Sequence, residues 1–351
     1  MKRDAFMVGV AAVTAAATKG HAGSGAVDEL VASRGIADVN YPTGTDGLLV
    51  VAKRGDEVQF FDPESLQVRS RIPLPKNPHE VALSPDHARA YVSIYGDGVY
   101  GNNGHPDHRI AVIDLKALSL QGFIDLGKYR APHGMMFDRD SHLWVTCDAD
   151  ATLVAINLEK RRVVDAVPTK STGTHFMTML PDYSRIYTSN KQDHFMSVID
   201  VGERRLISTI PLPNGADGLC TSRDGARVYI LDFVQPLLHV VDTKTNEIME
   251  SVVLQGQTEH AMRVRVTPDD QYALTSSYAG DVVTALRAED LKEQRIVSVR
   301  KGPMGFAFRP NGRRFLVTEH DAGSVAEIDL DAMQVTRRFT GGPGAETLVF
   351  Y

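Results

Sequence analysis

Thiols and indoles are scarce in this chain: it has two cysteines, Cys147 and Cys220, and one tryptophan, Trp144. Two cysteines make no disulfide framework, and their separation rules out CxxC and zinc-knuckle patterns. No basic run stands out and the formal net charge is -6, so the electrostatic footprint of a nucleic-acid binder is missing. No apolar run is long enough to span a bilayer. There is no GxSxG elbow, no HExxH, no P-loop and no GxGxxG opening a helix, so those familiar chemistries are excluded. Beyond the N-terminus no stretch carries helical periodicity.

What is present is an ordinary globular composition, 43% hydrophobic and 23% charged over 351 residues. The N-terminal stretch MKRDAFMVGVAAVTAAATKGHAGSGA places Lys2 and Arg3 before a small and apolar run from Ala5 to Thr18. Small residues follow at Ser24 and Ala26. This is the shape of a secretory leader, expected over residues 1–26, and it implies a periplasmic or secreted protein. Asp4 and the polar break at Lys19–His21 fit the alternative, an N-terminal helix on a cytoplasmic chain. Residues 27–45 read as a lead-in and 46–351 as one domain.

That domain repeats. NPHEVALSPDHARAYVS, APHGMMFDRDSHLWVT, GTHFMTMLPDYSRIYTS, GADGLCTSRDGARVYIL, HAMRVRVTPDDQYALTS and GPMGFAFRPNGRRFLVT each give an apolar strand, a turn and a second strand. Third strands such as RIAVIDL, FMSVIDV and SVAEIDL follow, then a turn and a fourth strand such as LISTIPL. Alternating β-branched residues bounded by turn residues read as strands. The first position of each inner strand runs His79, His133, His175, Asp217, Met262, Met304, Glu346, at steps of 54, 42, 42, 45, 42 and 42. Four strands per 40–45 residues is the signature of propeller blades. The long first step holds an insertion, YGDGVYGNNGHPDH, read as a Gly/Asn/Tyr-rich loop able to cover the mouth or meet a partner. GLLVVAKRGDEVQFFDPESLQVRSRIPL supplies three strands without an inner one, and GAETLVFY an inner strand alone. The expected fold is therefore an all-β, seven-bladed β-propeller of four-stranded blades, closed by pairing its N- and C-terminal strands.

The wording of the blades, IYTSN, VIDLKAL and VIDVGERRLISTIPLP, resembles the YVTN family of β-propellers over nearly the whole chain after about residue 40. The resemblance implies the fold and an exported protein, and selects no activity.

In a propeller the seven first positions face one channel mouth. Three consecutive histidines there, His79, His133 and His175, are candidate ligands for a divalent transition metal, zinc or copper, with a coordination position open to substrate. A purely structural role for each imidazole is the competing reading. Asp217 offers a fourth ligand or a base, and Glu346 a carboxylate to orient His79. Met262 and Met304 read as apolar fillers whose thioethers would favour copper if they reached the metal. Glu259 and His260 in the loop entering the fifth blade, and Tyr278 beyond a second strand, are candidate acids or bases. His105, His108, His194 and His320 complete the expected rim with Cys147, a soft ligand or nucleophile there, for which a small buried residue is the favoured reading; Lys53, Asn190, Asp232 and Ser277, beside Arg54 and Tyr278, sit near the mouth to bind an oxyanion or a sugar-like substrate, or to form a hydrated rim. His87, His142 and His239 read as structural, and Cys220 and Trp144 as core. The functional expectation is a metal-dependent lyase, hydrolase or copper oxidoreductase acting on a small molecule. The alternatives are a non-catalytic module binding a ligand or partner protein, and a supporting subunit of a dehydrogenase-like complex.

Overall fold

A computed structural model describes residues 44–257, 259–310 and 312–351; the expected leader and the lead-in as far as residue 43 lie outside them. Among the described residues 28 strands form seven four-stranded antiparallel sheets, with two single-turn 3-10 segments, Lys53–Gly55 and Asp148–Asp150. No helix there is long and apolar enough to cross a membrane. The inner strands of blades 1 to 7 are Pro78–Leu83, Pro132–Phe137, Thr174–Met179, Ala216–Thr221, Arg263–Val266, Pro303–Phe308 and Ala345–Phe350. Each packs against the next and the last against the first, which closes the ring. The seven-bladed propeller expected from the repeat is the fold observed.

Blade 7 joins the chain ends: Ala345–Phe350 pairs with Leu48–Ala52, with Leu48 opposite Phe350 and Leu49 opposite Val349. Closure leaves no open edge on that sheet's inner side. The core is a series of facets between blades. Leu49, Val51 and Phe60 of blade 7, for instance, pack against Leu83, Val92 and Ile94 of blade 1. The recurring Asp at the end of the third strand has a local cause. Asp62, Asp114 and Asp242 each accept backbone N–H groups two and three residues on, which fixes the turn into the fourth strand.

The blade 1 insertion is a paired extension, where the sequence reading expected a loop. Strands Arg89–Val99 and Asn102–Asp114 continue the hairpin past the blade, with Asp97 opposite His105 and Gly96 opposite Pro106. Gly96, at φ 97°, makes this possible: a Cβ there would meet the His105 carbonyl oxygen at 2.3 Å.

One device recurs at the top of the inner strands. In blades 1, 2, 3, 4, 6 and 7 the register slips so that two residues oppose one on the neighbouring strand, a β-bulge. The pairs are His79–Glu80, His133–Gly134, His175–Phe176, Asp217–Gly218, Met304–Gly305 and Glu346–Thr347. The single residue opposite is a hydroxyl in four of these six, and its oxygen accepts the N–H the bulge leaves unpaired. Ser93 takes it from Glu80 (3.0 Å), Thr146 from Gly134 (2.8 Å), Ser189 from Phe176 (3.0 Å) and Thr318 from Gly305 (2.9 Å). Some of these hydroxyls also donate into the next blade: Thr146 to the His175 carbonyl (2.6 Å) and Thr318 to that of Glu346 (2.7 Å).

Two outcomes follow. Thr146→Val strips partners from a buried N–H and a buried carbonyl, and is expected to cost about 1–3 kcal/mol in chemical denaturation; an unchanged midpoint would show that the bridge contributes nothing. Deleting residues 345–351 exposes Leu48–Ala52 as an open edge. The shortened chain should aggregate or lose its cooperative unfolding transition, and a soluble, cooperatively unfolding variant would contradict the closing role of that strand.

Candidate functional site

The bulges aim the first-position side chains at the axis. His79, His175, Met262, Met304 and Glu346 line one cavity of about 610 Å³ at the top face. His133 and Asp217 lie beneath its surface, fully buried. A second ring lies two residues beyond the position facing the bulge: Lys53, Tyr95, Asp148, Lys191, Phe233, Tyr278 and His320, all of which line the same cavity except the buried Asp148. Its steps are 42, 53, 43, 42, 45 and 42, the same repeat read one strand later. The sequence reading picked out Lys53, Tyr278 and His320 singly and passed over Tyr95, Asp148, Lys191 and Phe233. Counting two residues past the second-strand hydroxyl finds Tyr95, Asp148 and Lys191; Phe233 follows Leu231, where the hydroxyl is missing.

The three ring histidines are brought together as a row. The rings of His79 and His133 are 4.2 Å apart between centroids, and those of His133 and His175 are 3.8 Å apart and tilted by 33°. A lysine closes each end, and burial pulls the Lys53 ammonium below its ordinary range against the opposing pull of Glu346. Lys53 Nζ is 2.7 Å from His79 Nε2, and Lys191 Nζ is 3.5 Å from His175 Nε2. His175 Nδ1 lies 2.8 Å from Asp148 Oδ2, to which the Tyr95 hydroxyl also donates (2.9 Å). Burial lowers His79 to about 4 against the opposing pull of Glu346, with Lys53 adding to the fall. Burial likewise holds His133 and His175 well below the usual imidazole range and pushes Asp148 well above the carboxylate range. The row is therefore neutral at neutral pH.

His133 is the anomaly. It is fully buried, and neither ring nitrogen has a hydrogen-bond partner. One ligand atom each from His79, Glu80 and His133 lies within 4.8 Å of the others. Glu80 was missed in the sequence; it follows His79 in the bulge and turns under the row. His79 Nδ1 is 3.3 Å from Glu80 Oε1 and 3.8 Å from Glu346 Oε1. His320 Nδ1 is 2.7 Å from Glu346 Oε2. Burial works to raise Glu346, but Lys53 and His79 outweigh it and hold the carboxyl well below its ordinary range.

Directly under the row lies a floor. The second bulge residues, with Arg263 at the matching position of the unbulged blade 5, run Glu80, Gly134, Phe176, Gly218, Arg263, Gly305 and Thr347, so the three glycines are interspersed among large side chains. Gly305 has no room for a Cβ, which would meet the Glu346 carbonyl oxygen at 2.6 Å. Arg263 donates to Glu80 at 2.6 Å and to Glu346 at 3.4 Å, and its guanidinium lies 4.0 Å from the Phe176 ring centroid. Thr347 donates to Glu80 at 3.0 Å. This plug divides the mouth from a lower channel cavity of about 140 Å³.

The other expected residues scatter. His260 lines the mouth, its ring 5.3 Å from Phe233, whereas Glu259 is exposed and does not line it. Tyr278 lines the far wall and donates to Asp321 at 2.7 Å; burial and that carboxylate raise its phenol to about 12, so it stays protonated at neutral pH. Arg54 pairs with the same Asp321 at 2.7 Å. His320 is in the cavity wall, while His105 and His194 are exposed away from it and His108 lies 3.7 Å from Asp125. Cys147 is not at the rim: it is buried in an apolar facet with Val145 and Val154, and burial pushes its thiol well up. Cys220 is core, pushed up to about 12. His239 bonds Ser251 and Asp232, and Trp144 donates to Asp138, both structural contacts.

No family model and no curated protein matches the chain. Solved structures with a similar fold include Kuenenia stuttgartiensis hydrazine synthase, at 15% identity and a TM-score of 0.69, covering 84% of this chain and 97% of that one. Another is the dihydro-heme d1 dehydrogenase NirN in complex with DHE, at 15% identity and a TM-score of 0.61, covering 87% of this chain and 75% of that one. At such identity the likeness is one of fold, and it agrees with the seven-bladed propeller.

Proposed function

We propose that the mouth holds a divalent transition metal and that the chain is a metal-dependent enzyme for a small molecule, of lyase, hydrolase or oxidoreductase type. The observation that carries this is His133. A neutral imidazole has one donor and one acceptor, and leaving both unmet in a buried site costs about 1–3 kcal/mol apiece. A metal ion on one nitrogen offsets much of that cost. His79 and Glu80 put further nitrogen and oxygen donors beside it. His175, held by a buried carboxyl at Nδ1, has the outer partner that ligating imidazoles usually carry. Ligand atoms on one zinc-sized ion stand about 3–3.5 Å apart, so a small rotation of the rings closes the set. A nitrogen and oxygen donor set without thiolate suits zinc or copper.

A bound metal of this kind polarises a substrate oxygen or lowers the pKa of a bound water. The protein's own groups do the rest. Lys53 fixes His79 from above, and the Arg263 plug closes the floor so that substrate enters from the top. Tyr278, a protonated phenol, and His260 face the cavity from the opposite wall as proton carriers. Export follows from the leader-like residues 1–26, and the YVTN likeness from the blade wording; both rest on the sequence.

The binding-module alternative calls for a broad apolar face. Among the described residues, exposed large apolar side chains near the mouth are Val99 and Val234; Val68, Met249, Val253 and Ile296 are on outer strands. A second reading, an iron tetrapyrrole, is favoured by the cavity of about 610 Å³ with imidazoles at its base and Lys53, Arg54 and Lys191 at its wall. It is also in keeping with the neighbour solved in complex with DHE.

Elemental mass spectrometry with an absorption spectrum tests both. Wild type is expected to carry about one metal per chain, and H79A/H133A/H175A, verified as folded by circular dichroism, none. Zinc or copper without a visible macrocycle band supports the first reading, and iron with such a band the second. No metal in wild type, even after reconstitution, would overturn both.

A further inference from the structure

The two lysines at the ends of the imidazole row are unusually placed. Lys191 is 8% exposed and lines the cavity, yet its ammonium, with three protons to donate, has only long polar contacts. These are His175 Nε2 at 3.5 Å and Asp217 Oδ2 at 3.3 Å. The rings of Tyr100 and Phe233 flank it, each with its centroid 5.3 Å from Nζ. Asp217 is fully buried and neither carboxylate oxygen has a hydrogen bond. At the other end Lys53 Nζ meets His79 Nε2 at 2.7 Å and Glu346 only at 3.9 Å. Each lysine sits at its own end of the row, Lys53 on His79 and Lys191 on His175, with His133 between them.

The charges around the row add a second constraint. Lys53, Lys191 and Arg263 face Glu346, Asp217 and Glu80 one to one. Arg54 is matched at the rim by Asp321, and Asp148 is shared by His175 and Tyr95. A divalent metal in this balanced set leaves two positive charges unmatched. A dianion long enough to reach both lysines restores the balance.

We infer that the mouth binds a small, elongated dicarboxylate laid along the imidazole row, one carboxylate on Lys53 and the other on Lys191. The inference rests on the metal reading for its charge argument. The body of the ligand runs past Met262 and Met304 on one side and the rings of Tyr100 and Phe233 at the Lys191 end. Each ammonium exchanges a neutral imidazole nitrogen for a carboxylate oxygen, a stronger partner. The aromatic pair beside Lys191 keeps water from competing for that end.

The test is isothermal titration of metal-loaded protein of measured metal content, at low salt. Malonate, succinate, glutarate and adipate are compared with butyrate and inorganic phosphate. One dicarboxylate length should bind best, with butyrate and phosphate weaker by at least about tenfold, the scale of one charged hydrogen bond. Lys191→Met should weaken that dicarboxylate by a similar factor without changing metal content. Because it strands the Asp217 charge, the double variant K191M/D217N, which removes the pair together, provides the same readout if the single one does not fold. Equal binding of butyrate or phosphate, no dicarboxylate binding at full metal occupancy, or no effect of the Lys191 variants would overturn the inference and leave the metal reading standing. A protein that takes up no metal defeats the metal reading, and the charge argument with it.

Discussion

The site depends on two residues being set against one at the top of the inner strands. An ordinary antiparallel ladder sends successive side chains to opposite faces of the sheet. In a blade, that would send one to the axis and the next into the packing between blades. The bulge breaks the alternation and delivers two consecutive residues toward the channel. It also leaves an N–H without a ladder partner, which a buried strand cannot tolerate. The hydroxyls of Ser93, Thr146, Ser189 and Thr318 meet that need from the second strand. By donating onward, Thr146 and Thr318 tie the position of one ring residue to the carbonyl of the next. The imidazole row is thus placed by backbone geometry, and its two outer rings are then fixed by Lys53, Lys191 and Asp148.

The layer below shows why the mouth is single-ended. Seven strands converging on an axis leave too little room for seven large side chains. Gly134, Gly218 and Gly305 give way, and Glu80, Phe176, Arg263 and Thr347 fill the centre. Buried charge is tolerated there because Arg263 and Glu80 meet at 2.6 Å and the guanidinium also lies on an aromatic face. Burial acts to raise Glu80, yet Arg263 and His79 hold it near 2, so the plug stays an ion pair through the physiological range. An apolar plug would have closed the channel equally well. An ionic one also leaves a carboxylate directly under His79 and His133.

Much of this was legible in the residues. The 42-residue beat identified the blades, the split seventh blade and the first ring, because each blade must present the same face to the axis. The insertion was misread as a loop because its glycines and asparagines are turn formers; paired strands with bulges use the same residues. Cys147 ends a strand, which made it a rim candidate beside the favoured reading of a small buried residue; its side chain points into the facet between blades, as that reading has it. Lys191 and Asp148 escaped notice because charged residues after a strand usually mean solvent, and Glu80 because strict alternation along the inner strand would turn it away from the axis. Here the neighbouring blade and the blade 1 hairpin bury them, a tertiary effect with no local signal. Reading the repeat at a second phase, two residues past the Ser/Thr position, recovers Asp148 and Lys191.

The orphaned imidazole separates a structural account of the row from a functional one. A structural histidine in a propeller channel is satisfied by a carbonyl or a carboxylate, as His239 is by Ser251 and Asp232. His133 has candidates close by and uses none: His79 and His175 engage Lys53, Lys191 and Asp148, while the ring between them is left with both nitrogens bare. Packing alone does not explain this, since a phenylalanine would fill the same space without a desolvation cost. The neighbours' alignment adds to the point. Two imidazoles fixed by charged groups on their outer sides, with an unengaged one between them and a carboxylate beneath, make a set whose unmet bonding is concentrated at one place. Stability is given up there, and the remaining blades are built to hold the position against that loss.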